Sequence, residues 1–218
     1  RFLTAAREPQ NGEMFGKPLL RRTESVSIDG IGFAVMAFKA GHRRGQVWDD
    51  VKTLDKIIGN TRFNLTGKSE REFEIHFMSS VNANADRLNG KIHSQVDKDT
   101  VVQSVYLFGK KHRPDLTINE DGIAIEIKYL SGSLDGLKQA IGQSIFYRVR
   151  YRFVINVFVI DEKYKDVYLK GANDAEKDLE EIFRELSTDM NIFSYIIPAF
   201  NPGSNIKALL AWNDISDA

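Results

Sequence analysis

Residues 112–130, HRPDLTINEDGIAIEIKYL, carry two runs of alternating apolar and polar positions. Leu116 and Ile118 form the first, Ile123, Ile125 and Ile127 the second, and the polar Asn119-Glu120-Asp121-Gly122 lies between them. Period-two alternation on both sides of turn chemistry predicts two antiparallel strands, each with one apolar face. Residues 69–89 follow a different rhythm. Phe73, Phe77, Val81, Asn84 and Leu88 recur at helical spacing, and Ser69 and Glu72 hold capping-box positions, so this segment is predicted to be a helix.

The rest of the chain can be read in the same way. VVQSVYLF at 101–108 and FVINVFVID at 153–161 are strand-like, as is IFSYIIPAF at 192–200. Residues 134–150 and 173–190 have helical patterns. Toward the N-terminus, 1–24 reads as an irregular arm and 25–39 as a hairpin around Asp29-Gly30. A helix is predicted over Trp48–Ile58 and a short strand over 61–65. The resulting order is α, β, β, β, α, β, α, β. It predicts an α/β fold with a mixed central sheet, 101–108, 114–118 and 123–130 at its centre, and helices on its faces. An extension at 1–66 would precede a core at 67–218. No internal repeat suggests a further domain.

Composition narrows the chemistry. A chain of 218 residues that is 42% hydrophobic can fill a sizeable core. Thirty basic and thirty acidic side chains cancel, so any nucleic-acid contact must come from local patches. With no cysteine, disulfides, thiolate zinc sites, cysteine-held clusters and cysteine nucleophiles are excluded. No apolar run approaches the roughly 20 residues of a membrane span, so no membrane association and a cytoplasmic location are expected. Arg1 in place of Met suggests a missing native N-terminus.

If the isoleucine faces of 112–130 point inward, the opposite face carries Asp115 and Thr117 on one strand and Ala124, Glu126 and Lys128 on the other. A loop of Glu120-Asp121 pairs Asp115 with Glu126, and a loop of Asp121-Gly122 pairs it with Lys128. Either register gathers the three polar groups. Two converging carboxylates offer the hard oxygen ligands that Mg²⁺ and Mn²⁺ prefer. A neighbouring ammonium can stabilise phosphate charge or orient an attacking water. Together these groups suit phosphodiester hydrolysis, whereas an isolated Glu-x-Lys would be only the decoration of a solvated strand.

Pro114-Asp115 followed by Glu126-Ile127-Lys128 resembles the motif of the PD-(D/E)XK nuclease superfamily, the restriction-endonuclease-like fold. The element order is also similar over about residues 69–200. The resemblance implies an αβββαβ core with a further αβ, and Asp115, Glu126 and the Ile127 carbonyl as ligands of Mg²⁺, which Mn²⁺ could replace. It also implies that Lys128 assists the attacking water and that DNA is the substrate. Glu70 matches the additional helix glutamate of many members, with Glu74 as the alternative; an ordinary first-turn glutamate complementing the helix dipole is an equal reading. Gln143-x-x-x-Tyr147 is similar to the signature of the RecB-like branch and would hold the substrate backbone, with Gln139 one turn earlier.

Lys111 and Arg113, with Lys110 and His112, are candidate phosphate contacts, as are Arg148, Arg150 and Arg152. For each of these, and for His42, Arg43 and Arg44, a solvated charge is the plainer reading. The four histidines form no recognisable metal motif. A deoxyribonuclease of restriction, phage defence or repair is expected, acting as a homodimer or within a larger effector. The rival expectation is a nucleic-acid-binding or assembly module that does not cleave alone.

Overall fold

The structure, a computed structural model, describes residues 25–28, 31–34, 38–63, 69–95, 102–130, 135–173 and 175–215. The chain divides into two units, Arg1–Ala37 and Phe38–Ala218. In the first, β1 (Ser25–Ile28) and β2 (Ile31–Ala34) pair antiparallel, with Ile28 opposite Ile31. The arm at 1–24 and the Asp29-Gly30 turn lie outside the described residues.

The second unit is α/β, with helices on both faces of a mixed six-stranded sheet. Its strands are β3 (Ile92–Ser94), β6 (Leu116–Ile118), β7 (Ile123–Leu130), β8 (Phe153–Ile160), β9 (Ile192–Pro198) and β10 (Leu210–Ala211). They are ordered β10-β9-β8-β7-β6-β3. β7, β8 and β9 run parallel, and the pairs at either edge are antiparallel. Every residue of β8 and β9 is buried, because a parallel stretch is covered on both faces and so reads as a continuous apolar run.

On one face, α1 (Gln46–Asn60) and α2 (Glu70–Asn82) pack Trp48, Leu54, Phe73 and Phe77 against Leu116, Ile118, Ile123, Ile125 and Ile127. The other face is covered by α3 (Asp135–Tyr147), α4 (Lys165–Ala172) and α5 (Lys177–Met190). Here Ala140, Tyr147, Tyr168 and Phe183 meet Ala124, Val154 and Phe158. α1 therefore belongs to the core of the larger unit and not to a separate extension ending at residue 66. Its Trp48 ring lies 5.5 Å from Phe153 and 5.9 Å from Phe193.

Several sequence expectations require correction. The strand flanking β6 is β3, not 101–108. That region supplies β4 (Val105–Leu107), which among the described residues pairs with β5 (Lys110–His112) in a separate two-stranded sheet. β3 already occupies the outer edge of β6, with Ile92 against Ile118 and Ser94 against Leu116. Thr61–Phe63 is not a strand, and 64–68 lie outside the described residues. α2 stops at Asn82, short of Asn84 and Leu88, and α3 stops at Tyr147. α4 was not anticipated.

Candidate active site

β6 has three residues and β7 has eight, and this inequality creates the site. The ladder pairs Ile118 with Ile123 and Leu116 with Ile125, and it ends there. Asp115 lies just past the end of β6, its N–H donating to the Ile125 carbonyl at 3.0 Å and its carbonyl accepting from Gln95 N–H at 3.0 Å. Beyond Asp115, no strand among the described residues pairs with β7 on that side. The N–H groups of Ile127 and Tyr129 face this notch, and carboxylates take the missing strand's place. Asp115 Oδ2 accepts from Ile127 N at 2.8 Å, and Glu70 Oε2 accepts from Tyr129 N at 3.0 Å. Because the N–H and C=O of one strand residue point the same way, the Ile127 carbonyl opens into the same notch.

Glu70 reaches the notch because it is the first residue of α2, and because Glu72, not Glu70, closes the capping box with Ser69. Lys128 Nζ lies 3.2 Å from Glu126 Oε1 and 3.9 Å from Glu70 Oε1. Glu126 is 3% exposed, and its Oε2 accepts a hydrogen bond from the Tyr147 hydroxyl at 3.0 Å. Behind it, Asn156, level with Glu126 on β8, bonds the Ser144 hydroxyl at 2.6 Å.

These groups carry a surplus of buried negative charge. Burial, then the Asp115 carboxylate, push the Glu126 carboxyl up to about 7, despite Lys128 and the Tyr147 hydroxyl. Burial also raises Asp115, outweighing its bond from Ile127 N–H and the charge of Lys128. Glu74, one turn along α2 from Glu70, is raised by burial and then by Asp115 and Glu70. Burial pulls the Lys128 ammonium down, but Glu126, Asp115 and Glu70 outweigh it, so its pKa rises and it stays protonated at neutral pH.

No family model, curated protein or solved structure matches this chain. The geometry of the notch must therefore carry the functional reading.

A divalent cation fits the donor set. Asp115 and Glu126 lie close together beside the Ile127 carbonyl, and an added positive charge would stabilise the ionised form of both carboxyls, which burial above all disfavours. Among the described residues no three Asp, Glu or His side chains come close enough to enclose an ion by themselves. The fit is thus to an ion that keeps several waters and takes one or two carboxylates, the habit of Mg²⁺.

Other predicted residues lie further out. Tyr147 is fully buried, so it braces Glu126 and cannot touch a substrate backbone. Gln143 is half-buried, with an amide oxygen that is buried and has no hydrogen-bond partner among the described residues. Gln139 and Lys111 are exposed, and Arg113, also exposed, donates to Gln95 Oε1 at 2.9 Å. Arg148 is not available to phosphate: it is 3% exposed and donates to the carbonyls of Met190, Tyr151 and Lys39. Arg150 Nη2 bonds Gln103 Oε1, Arg152 pairs with Asp121, and Arg43 binds Asn191 and Asp214. Sequence reasoning missed the Ser144–Asn156 pair, since an Asn inside an apolar strand was the only signal for it.

Proposed function

We propose that the chain is a metal-dependent nuclease of the PD-(D/E)XK kind, hydrolysing DNA phosphodiester bonds at the notch beside β7. The observation that carries this reading is the convergence of Asp115, Glu126, the Ile127 carbonyl and Lys128 where β6 ends. The α/β architecture, with a helix bearing Glu70 before the sheet, suits a restriction-endonuclease-like core, although its first strand is Ile92–Ser94. The preference for DNA over RNA follows from the motif resemblance alone, as do the settings of restriction, phage defence and repair.

Asp115 and Glu126 would hold Mg²⁺ or Mn²⁺ together with the Ile127 carbonyl. The ion when bound supplies Lewis-acid stabilisation of the phosphate and makes a coordinated water more acidic. The protein's own groups do the positioning. The Ile127 N–H fixes one Asp115 oxygen, the Tyr147 hydroxyl fixes one Glu126 oxygen, and Lys128 lies against the other Glu126 oxygen, so both carboxylates are held in place for an ion. Lys128 acts as a protonated donor, orienting the attacking water or stabilising charge on the phosphate. Glu70 holds the Tyr129 N–H and lies near Lys128, so it positions that ammonium.

One observation favours the non-cleaving reading, a nucleic-acid-binding or assembly module. Each carboxylate already has a protein partner, Ile127 N–H, Tyr129 N–H, Tyr147 or Lys128, so the notch is largely satisfied as it stands. Incubating wild-type protein with plasmid, linear duplex, single-stranded DNA and RNA in Mg²⁺, Mn²⁺ or EDTA separates the two. Cutting of DNA that stops in EDTA is expected; DNA binding without cutting in any metal favours the module.

A further inference from the structure

β4 and β5 form a small hairpin outside the main sheet, and its side chains resemble a binding surface more than a folding element. Tyr106 is 70% exposed and Phe108 is 85% exposed, the two most exposed large hydrophobics among the described residues. The pairing of Leu107 with Lys110 leaves a two-residue loop, Phe108-Gly109, with φ of 51° and 71°. Such a loop favours Asn or Gly at its first position, and a bulky aromatic there is held against its conformational preference. Neither burial nor turn chemistry accounts for Phe108.

The surrounding charge indicates the occupant. Lys110, Lys111 and Arg113 are exposed along the returning strand, and among the described residues neither Lys110 nor Lys111 has an acidic partner. Lys111 lies over the Tyr106 ring at 5.9 Å. Phe108 and His112 both approach Phe146 of α3, with ring centroids at 5.9 and 5.1 Å, so the hairpin leans on the helix that braces Glu126. β5 then runs through Arg113 and Pro114 into Asp115. At an extended-chain reach of about 3.3–3.6 Å per residue, Phe108 stands no more than about 25 Å from the notch. Exposed aromatics flanked by cations suit a strand whose bases are unstacked.

We propose that this hairpin is a stacking finger that binds unpaired nucleotides of a DNA strand. Phe108 and Tyr106 receive base faces while Lys110, Lys111 and Arg113 track the phosphates. The role of the bound strand as substrate rests on the nuclease reading, but the binding itself does not.

The test is binding, in EDTA, of a short single-stranded oligodeoxynucleotide carrying a fluorescent purine analogue, beside a duplex of the same sequence. Wild type is compared with Phe108→Ala, Phe108→Trp and Tyr106→Ala. Phe108→Ala should weaken single-strand binding roughly 5- to 150-fold, the span of one lost base stack, and Phe108→Trp should restore it. Duplex affinity should change far less. Because both rings face solvent, far-UV circular dichroism should be unchanged in all variants. Unchanged single-strand affinity in both alanine variants overturns the proposal, as does an equal loss for duplex. Absence of cleavage by a protein that still shows the Phe108-dependent binding would count against the nuclease reading alone. Asp115-dependent cutting without that binding would count against the finger alone.

Discussion

Glu126→Gln should make the protein more stable above neutral pH. Glu126 is 3% exposed, and its carboxyl is raised from the usual 4.5 to about 7, first by burial and then by Asp115. Because the folded state holds this proton more tightly than the unfolded state, stability falls as pH climbs from 4.5 to about 7 and the loss is complete above that. At about 1.4 kcal/mol for each tenfold change in proton affinity, ionised Glu126 costs about 3 kcal/mol at pH 8 and at most about 1 kcal/mol at pH 5. Glutamine keeps the shape, accepts from the Tyr147 hydroxyl through its one amide oxygen and carries no charge, so the variant avoids most of that cost, less what is lost where its amide N–H₂ replaces the oxygen beside Lys128. Urea unfolding followed by the fluorescence of buried Trp48 reads the difference as a midpoint about 1 M higher for Glu126→Gln at pH 8, with a small gap at pH 5. Mg²⁺ should narrow the gap at pH 8 by stabilising wild type alone. A variant no more stable than wild type at pH 8, or one gaining equally at both pH values, would refute the reasoning.

Two further substitutions separate bracing from contact. Tyr147→Phe removes the hydroxyl that Glu126 Oε2 accepts from, so the carboxyl should rise further. Mg²⁺ affinity measured by calorimetry should then fall at least about 10-fold, while single-strand binding in EDTA is unchanged. Arg148→Met strips donors from the carbonyls of Met190, Tyr151 and Lys39 and should cost about 3 kcal/mol in urea unfolding, with DNA affinity unaltered; a loss of affinity at full stability would return Arg148 to the phosphate contacts.

The sequence made the hairpin legible because its alternation is strict on both strands and a one-residue slip would turn five apolar side chains to the wrong face. The observed register sets Ile118 against Ile123 and Leu116 against Ile125, the alignment that a Glu120-Asp121 loop implies. The capping box at Ser69–Glu72 was readable for a similar reason, since it depends only on local spacing. β3 was not readable: Ile92-His93-Ser94 has one apolar residue, and its place is set by pairing with β6. Residues 101–108 misled because β-branched and aromatic content marks a strand but not the sheet it joins, and there Tyr106 faces solvent. Tyr147 was located, yet its burial was not foreseen, because helical spacing says which residues share a face and not how deeply that face sits. The substitution of Asp115 and Glu70 for a missing strand depends on β6 being shorter than β7, a fact of tertiary pairing.

The most direct test is single-turnover cleavage of labelled DNA in Mg²⁺ by wild type, Asp115→Asn and Lys128→Ala, each first shown to be folded. The account predicts wild-type cutting and a loss of at least about 100-fold in both variants, since one removes a metal-holding carboxylate and the other the ammonium beside it. Cutting that survives both substitutions would contradict it and place the chemistry somewhere other than the notch beside β7.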